Sequence, residues 1–531
     1  MIYRRRVFLK QLGLGAAALS LKSPVSHCLG QELAAGQLPR SSPEAQGVSS
    51  TDILKFLEAL QKSGLEVHSF MMIRHGKVIA EGWWSPYRAD LNHMLYSLSK
   101  SFTSTAVGLA VNEGKLTVND PVISFFPAEL PAKVSPNLSA LKIKHLLTMS
   151  VGHTEDSTRK IRTEEDWVKT FLALPIPEPP GSLFLYNSGA TYMLSAIVQK
   201  VSGQKLIDYL TPRLFQPLAI REMTWETCPR GINTGGWGLA LQTESIAKFG
   251  LLYLQQGQWN GSPIIPAQWV EEATTFKIQQ PAKEGQNLDE LKRTSEWHQG
   301  YCYQFWRSRH NAFRADGAFG QFSIVMPEQD AVIAMTSESS NMGDQMSLVW
   351  DYLLPAMKPD ALPPDSQASQ ALESRLAKLA LLPPKAGPAS PLAARISGKT
   401  YRIEPNSLNV QSVGFTFAPD RCRFDLKDNQ KEFPILCGYD FWMRGKTSMP
   451  GTPPKLTTGP LAPVQDIAAS ASWKDQRTLE MTWRFFDTPH HDTVTCQFDG
   501  DAISVKFLSS VAQLQPDHPE TRPVLQGKIV A

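Results

Sequence analysis

The chain holds 531 residues, 42% hydrophobic and 19% charged, a globular balance that excludes a disordered, collagenous or coiled-coil polypeptide. Its formal net charge of +3 is misleading, because Arg4, Arg5, Arg6, Lys10 and Lys22 place five positive charges and no acid in the first 31 residues. Setting them aside leaves −2, so the remainder has no electrostatic call for nucleic acid or an anionic membrane.

Residues 1–35 read as an export signal and N-terminal tail. Arg5-Arg6-Val7-Phe8-Leu9-Lys10 is a twin-arginine pattern, followed by the apolar run 12–21 and then Lys22-Ser23-Pro24, the layout of a cleavable address. The run falls short of the ~18–20 residues that span a bilayer. A mature chain without a membrane span, periplasmic or secreted by the twin-arginine route, is expected. Cys28 follows His27 rather than the small residue a lipid-attachment box requires.

Residues 36–359 alternate β-rich runs with helical patterns. Runs 69–76 and 78–82 predict two strands joined at His75-Gly76-Lys77. Helical spacing over 98–113 stops at Gly114, and over 190–201 at Gly203. Runs 321–326 and 331–335 predict a second strand pair around Pro327-Glu328-Gln329-Asp330. Strands at both ends of a helical middle point to an α+β domain, an antiparallel sheet flanked by helices. Residues 360–393 are rich in Pro, Ala and Ser, with Pro363-Pro364 and Pro383-Pro384 bracketing a short helix, and read as a linker. Residues 394–531 lose the helical period. About eight short alternating runs, among them 422–426, 479–485 and 494–498, and a turn at Asp499-Gly500 predict a small all-β barrel or sandwich.

Three segments carry chemistry. In Tyr96-Ser97-Leu98-Ser99-Lys100, Ser97 and Lys100 lie one turn apart at the start of a helix whose apolar positions 98, 102, 106, 109 and 110 bury it. A serine hydroxyl needs a base, and a buried lysine with a lowered pKa is one. The helix N-terminus adds a positive dipole, and the Ser97 N–H can face a developing oxyanion. Tyr186 stands in the turn-rich loop 180–189, where a phenol can reach the pair. Ala315-Asp316-Gly317-Ala318-Phe319-Gly320-Gln321 runs into the late strand pair, and its glycines let a substrate lie along an edge.

In this order and spacing the segments resemble the serine β-lactamase-like superfamily over roughly residues 45–355, in particular its class C β-lactamase, DD-peptidase and esterase branch with the 6-aminohexanoate-dimer hydrolases. Arg74-His75-Gly76-Lys77, Glu113-Gly114-Lys115-Leu116, Asn119-Asp120-Pro121 and Leu146-Leu147-Thr148-Met149-Ser150 belong to the likeness. The resemblance implies a β-lactamase/transpeptidase-like catalytic domain with Ser97 as nucleophile, Lys100 and Tyr186 as acid and base, and Tyr186 activating the deacylating water. It also implies oxyanion donors at the Ser97 and Ala318 N–H, and substrate contacts at Ser188, Gly317 and Phe319. Neither a metal nor an organic cofactor is expected. Ser188 stands where many β-lactamases have Asn, and Ala315 where the family has Lys or His, so the cation that would meet a β-lactam carboxylate is absent. The expected activity is hydrolysis of a small-molecule amide or ester. The alternatives are a β-lactamase or D-alanyl-D-alanine carboxypeptidase, or a silent protein binding peptidoglycan or a partner; retention of Ser97, Lys100 and Tyr186 speaks against the last.

Other features favour structural roles. His490-His491 on a strand would point to opposite faces and not share a metal, and His93 reads as loop packing. Tyr301, Tyr303, Phe305 and Trp306 either line an apolar cleft or alternate into the core. Cys422, Cys437 and Cys496 read as buried thiols. The export reading is testable: replacing Arg5 and Arg6 by Lys should leave full-length precursor inside the cell, and unchanged export of that variant, followed by fractionation and immunoblot, would contradict it.

Overall fold

The structure, a computed structural model, describes residues 36–387, 389–452, 455 and 464–530; the expected export signal lies outside them. A six-stranded sheet is built from β1 (Val67–Arg74), β2 (Lys77–Trp83), β3 (Trp306–Arg307), β4 (Phe313–Gly317), β5 (Gln321–Met326) and β6 (Ala331–Ser337). Its order is β2-β1-β6-β5-β4-β3, antiparallel throughout. Both expected strand pairs are present, and the first strand lies against the last, with Phe70 opposite Met335 and Met72 opposite Ile333.

The two-residue period divides the sheet between two cores. Phe70, Met72, Ile333 and Met335 face helix α1 (Ser50–Ser63), whereas Met71, Ile73, Val332 and Ala334 face the helical layer. At the centre of that layer lies α2 (Ser99–Asn112), buried over residues 99–110. Apart from Lys100 it carries no charge, and two of its buried hydroxyls reach neighbouring backbone: Ser101 donates to Gln304 O at 2.6 Å and Thr103 to Gly235 O at 2.8 Å. Helix α3 (Ser188–Ser202) is capped by Asn187 and ends at Gly203 in the left-handed region. Helix α4 (Thr243–Leu254) packs beneath the sheet, its Phe249 stacked 3.8 Å from Phe102. Among the described residues, no helix is long and apolar enough to cross a membrane.

The segment read as a linker is docked. Its helix α5 (Ser366–Ala377) follows α1 and β2, and a Cβ at Gly82 would meet Leu379 Cδ1 at 2.6 Å and Leu376 Cδ2 at 3.1 Å. Ser85 and Leu379, then Leu381 and Ser85, exchange backbone hydrogen bonds beyond it. Leu372 and Leu376 on the helix, with Leu379 just past its end, supply an apolar stripe that the Pro/Ala composition masks.

The C-terminal strands are β7 (Thr400–Ile403), β8 (Ser412–Phe417), β9 (Arg421–Lys427), β10 (Glu432–Gly438), β11 (Met443–Thr447), β12 (Gln465–Trp473), β13 (Thr478–Phe485), β14 (His491–Asp499), β15 (Ala502–Ser509) and β16 (Leu525–Ile529). They settle the barrel-or-sandwich alternative in favour of a closed nine-stranded barrel, with β11 added outside against β12. β10 meets β12 through Gly438 and Ser470, whose hydroxyl donates to Gly438 O at 2.9 Å. β16 completes the wall between β15 and β7. Cys422 and Cys437 are opposite one another on β9 and β10 as buried free thiols, and Cys496 is buried and free.

Candidate active site

Ser97 sits in the turn Tyr96–Leu98 that feeds α2. Gly317, the last residue of β4, presses on that turn: a Cβ there would lie 2.0 Å from Leu95 O and 3.1 Å from Leu98 N. Glycine is required because two backbones occupy the space of a side chain. The contact joins the first and third chemical segments.

Lys100 projects one turn on, almost wholly buried. Its Nζ donates to Ser97 Oγ at 2.9 Å and to Gly236 O at 2.7 Å, and lies 4.9 Å from the centre of the Tyr186 ring. Burial lowers the lysine pKa to about 7, with Asp156 and Asp316 pulling weakly the other way. The Tyr186 hydroxyl is hydrogen-bonded to the Ser97 side chain, yet burial, reinforced by Asp316, pushes the phenol above its ordinary range. Tyr186 is placed by Asn187, whose Oδ1 accepts from Ser157 Oγ at 2.7 Å and Gly189 N at 3.1 Å and whose Nδ2 meets His153 Nδ1 at 3.0 Å. The three residues, read from two separate motifs, are therefore brought together.

A cleft of about 320 Å³ opens on Ser97 and Tyr186, lined by Phe184, Gln280, Trp297, Trp306, Asp316, Gly317, Ala318 and Met342. Trp306 stacks on Tyr186 at 5.8 Å. Gln280 Oε1 is buried without a hydrogen-bond partner among the described residues. Ala315 is buried in the core, so the position that carries a cation in the family points no charge at the cleft. Neither neighbouring arginine supplies one. Arg314 Nε donates to Asp316 Oδ2 at 2.9 Å, and its Nη1 to Ser308 Oγ at 2.7 Å, while its guanidinium lies 4.9 Å from the Trp297 ring. Arg309 is bound to Glu296.

Residues 55–356 match the Beta-lactamase family. The chain belongs to that family of serine hydrolases. It is 25% identical over 289 residues to the 6-aminohexanoate-dimer hydrolase of Paenarthrobacter ureafaciens, covering 51% of this chain and 72% of that one. Among solved structures, it is similar to EstCE1, a hydrolase with promiscuous acyltransferase activity (TM-score 0.48, 15% identity, 57% of this chain and 99% of that one). A further similar structure is the octameric penicillin-binding protein homologue from Pyrococcus abyssi (TM-score 0.46, 14% identity, 90% of this chain and 99% of that one).

Within this Beta-lactamase-family site, the remaining expected residues distribute unevenly. Gly317 and Ala318 line the cleft. Phe319 lies behind it, against Tyr96 at 5.6 Å. Ser188 begins α3 and its N–H donates to Asp156 Oδ1 at 3.1 Å; it is not among the lining residues. Of the aromatic run, Trp306 lines the cleft and Tyr301 packs behind Tyr186, while Phe305 stands in the core against Tyr253. Gln280, Trp297 and Met342 went unread because each comes from a segment with no motif of its own.

The histidine pair overturns the opposite-face expectation. His490 precedes β14, in the tight connection after Phe485, so strand alternation does not govern it. Both rings converge on one carboxylate, His490 Nδ1 at 2.6 Å and His491 Nδ1 at 2.8 Å from Glu338. Glu66, Glu338 and His491 bring one ligand atom each within 4.8 Å. Arg484 already donates to both Glu66 oxygens, and the two histidines take both Glu338 oxygens. The donor set is an ion-pair network between the barrel and the hydrolase domain, a poor fit to a cation. His93 joins its edge, with Nε2 2.8 Å from His68 Nδ1.

Gly317→Ala should remove most hydrolytic activity and lower stability by about 1–3 kcal/mol, since a backbone carbonyl cannot yield as a side chain can. Thermal unfolding beside an ester assay reads both; wild-type values in both would contradict the close-approach argument.

Proposed function

We propose that the protein is an exported hydrolase of small neutral esters or amides acting through a Ser97 acyl-enzyme. The observation that carries this is Lys100 Nζ, buried and 2.9 Å from Ser97 Oγ, with burial bringing its pKa to about 7. A fraction of the amine is then neutral at neutral pH and accepts the Ser97 proton as Oγ attacks the carbonyl. The Ser97 and Ala318 N–H groups receive the developing oxyanion. Tyr186, kept protonated by its buried setting, passes a proton to the departing alcohol or amine and regains it from Lys100. Water enters by the reverse route, with Lys100 again the base. This differs from the expectation that Tyr186 is the deacylation base, because a buried phenol beside Asp316 resists ionisation.

Charge in the cleft favours neutral substrates over β-lactams. Its lining offers the Asp316 carboxylate where a β-lactam carboxylate would need a cation, and Arg314 and Arg309 are committed elsewhere. Aromatic walls suit an apolar acyl chain, and Gln280 Oε1 stands ready to accept an amide N–H. The 6-aminohexanoate-dimer hydrolase activity named for the Paenarthrobacter ureafaciens relative supports the same reading.

A fluorophosphonate should label Ser97 alone, and Ser97→Ala should abolish labelling. Lys100→Arg keeps a cation but no base and should cost about 10²–10⁴ in kcat/KM. Because the neutral amine is the active form, wild-type kcat/KM for p-nitrophenyl butyrate should rise with pH through about 7 and then level; a profile flat between about pH 5 and 9 would refute Lys100 as base. Losing a charge-assisted hydrogen bond costs on the order of 1.5–3 kcal/mol, so kcat/KM for that ester should exceed that for nitrocefin by about one to two powers of ten. Parity between the two substrates would refute the charge argument.

A further inference from the structure

The barrel reaches the active site through one imidazole. His490 is fully buried; its Nε2 lies 2.6 Å from Tyr96 Oη and its Nδ1 2.6 Å from Glu338 Oε1. Burial pushes the Glu338 carboxyl up, but the bonds from His490 and His491 outweigh it and hold the group well below the usual carboxylate range. An ionised carboxylate only accepts, so Nδ1 carries a proton toward Glu338, and the far nitrogen is left to meet the Tyr96 hydroxyl.

The same ring packs edge-on against Phe319, with centroids 4.7 Å apart and planes at 86°. Tyr96, Phe319 and Met94 form a small core with Ala318, closed from the barrel side by Leu514. Tyr96 precedes Ser97, and Phe319 follows Ala318. Both hold positive φ, +46° at Tyr96 and +66° at Phe319, a region that side chains with a Cβ occupy only where the surroundings over-determine it. The Tyr96 carbonyl and the Ser97 N–H share one peptide plane, so anchoring Tyr96 aims that N–H. Phe319 closes the turn that carries Ala318, and its carbonyl accepts from Ser337 Oγ at 2.8 Å and Ser339 N at 2.9 Å. An imidazole from the second domain thus touches the neighbour of each proposed oxyanion donor.

We propose that His490, presented by the barrel and oriented by Glu338, is a positioning residue that holds Tyr96 and Phe319, and through them the Ser97 and Ala318 N–H groups, in oxyanion-binding geometry. The proposal rests on the reading of Ser97 as nucleophile and of those two N–H groups as oxyanion donors. It makes the barrel part of the catalytic unit. His490 touches no substrate; it acts through the backbone on either side of the reacting centre.

The test uses the full mature chain and measures inactivation by a fluorophosphonate, separating kinact from KI, beside turnover of p-nitrophenyl butyrate. His490→Phe keeps the ring packing and deletes the imidazole's bonds to Tyr96 and to Glu338; Tyr96→Phe deletes the first of these alone, from the other side. Each should lower kinact about 10- to 100-fold with KI within about twofold, and the double variant should be no worse than either single one. If His490→Phe does not fold, Tyr96→Phe, which removes one oxygen from the hydrolase domain, decides alone. A kinact within about twofold of wild type in the folded single variants overturns the positioning role, as do losses confined to KI or losses that multiply in the double variant. Ser97→Ala runs in parallel. Wild-type labelling of that variant would remove the nucleophile assignment itself, whereas a silent Ser97→Ala beside fully active His490→Phe and Tyr96→Phe would leave the assignment standing and refute only the positioning.

Discussion

Taking the Lys100 ammonium out of water without a carboxylate at contact distance is the constraint on which this molecule is organised. Its Nζ meets a hydroxyl, a carbonyl and the face of an aromatic ring, none of which repays the hydration of a full charge. The protein tolerates the deficit because the neutral amine is nearly as stable as the charged one there. That balance needs a helix buried on every side, and α2 achieves this with small hydroxylated and apolar residues around its single lysine. It also needs the end of β4 to lie close enough to seal the turn, which Gly317 alone permits. Stability is given up locally and recovered in the cores on the two faces of the sheet.

The electrostatics of the cleft follow from the same economy. Asp316 and Arg314 neutralise one another behind two tryptophans, so the wall presents aromatic surface and a compensated carboxylate. Ala315 and Asp316 are consecutive on β4, and neither is a cation.

What was legible in the sequence was what is local. The Ser97–Lys100 spacing is a helical turn and could be read without knowing the fold, whereas Tyr186 drew its role from the family resemblance. Strand pairs and helix stops at Gly114 and Gly203 were likewise written in period and backbone chemistry. The cleft walls were not: Gln280, Trp297 and Met342 converge from three segments whose neighbours in sequence say nothing of their neighbours in space. His490 was misread for a sharper reason. Alternation applies inside a strand, and the chain bends after Phe485, so the residue before β14 escapes the rule. The docked strap at 366–379 was hidden by composition, its three leucines diluted among Ser, Ala and Gln and flanked by Pro-rich stretches.

The barrel's nine strands carry an arithmetic consequence. Strands that alternate up and down close without conflict only in even numbers; an odd ring must contain two neighbours running the same way. Here that parity defect falls between β10 and β12, which meet in parallel at the single residue pair Gly438 and Ser470, whereas neighbours such as β14 and β15 are paired over eight. The cylinder therefore has a seam. The β13–β14–β15 strands, which bear His490 and His491 at their rim, begin directly beyond seam strand β12 and are paired over seven and eight residues. Local opening of the barrel is thereby concentrated at the Gly438–Ser470 seam, while the long ladders of β13, β14 and β15 hold the strands beside the histidines together.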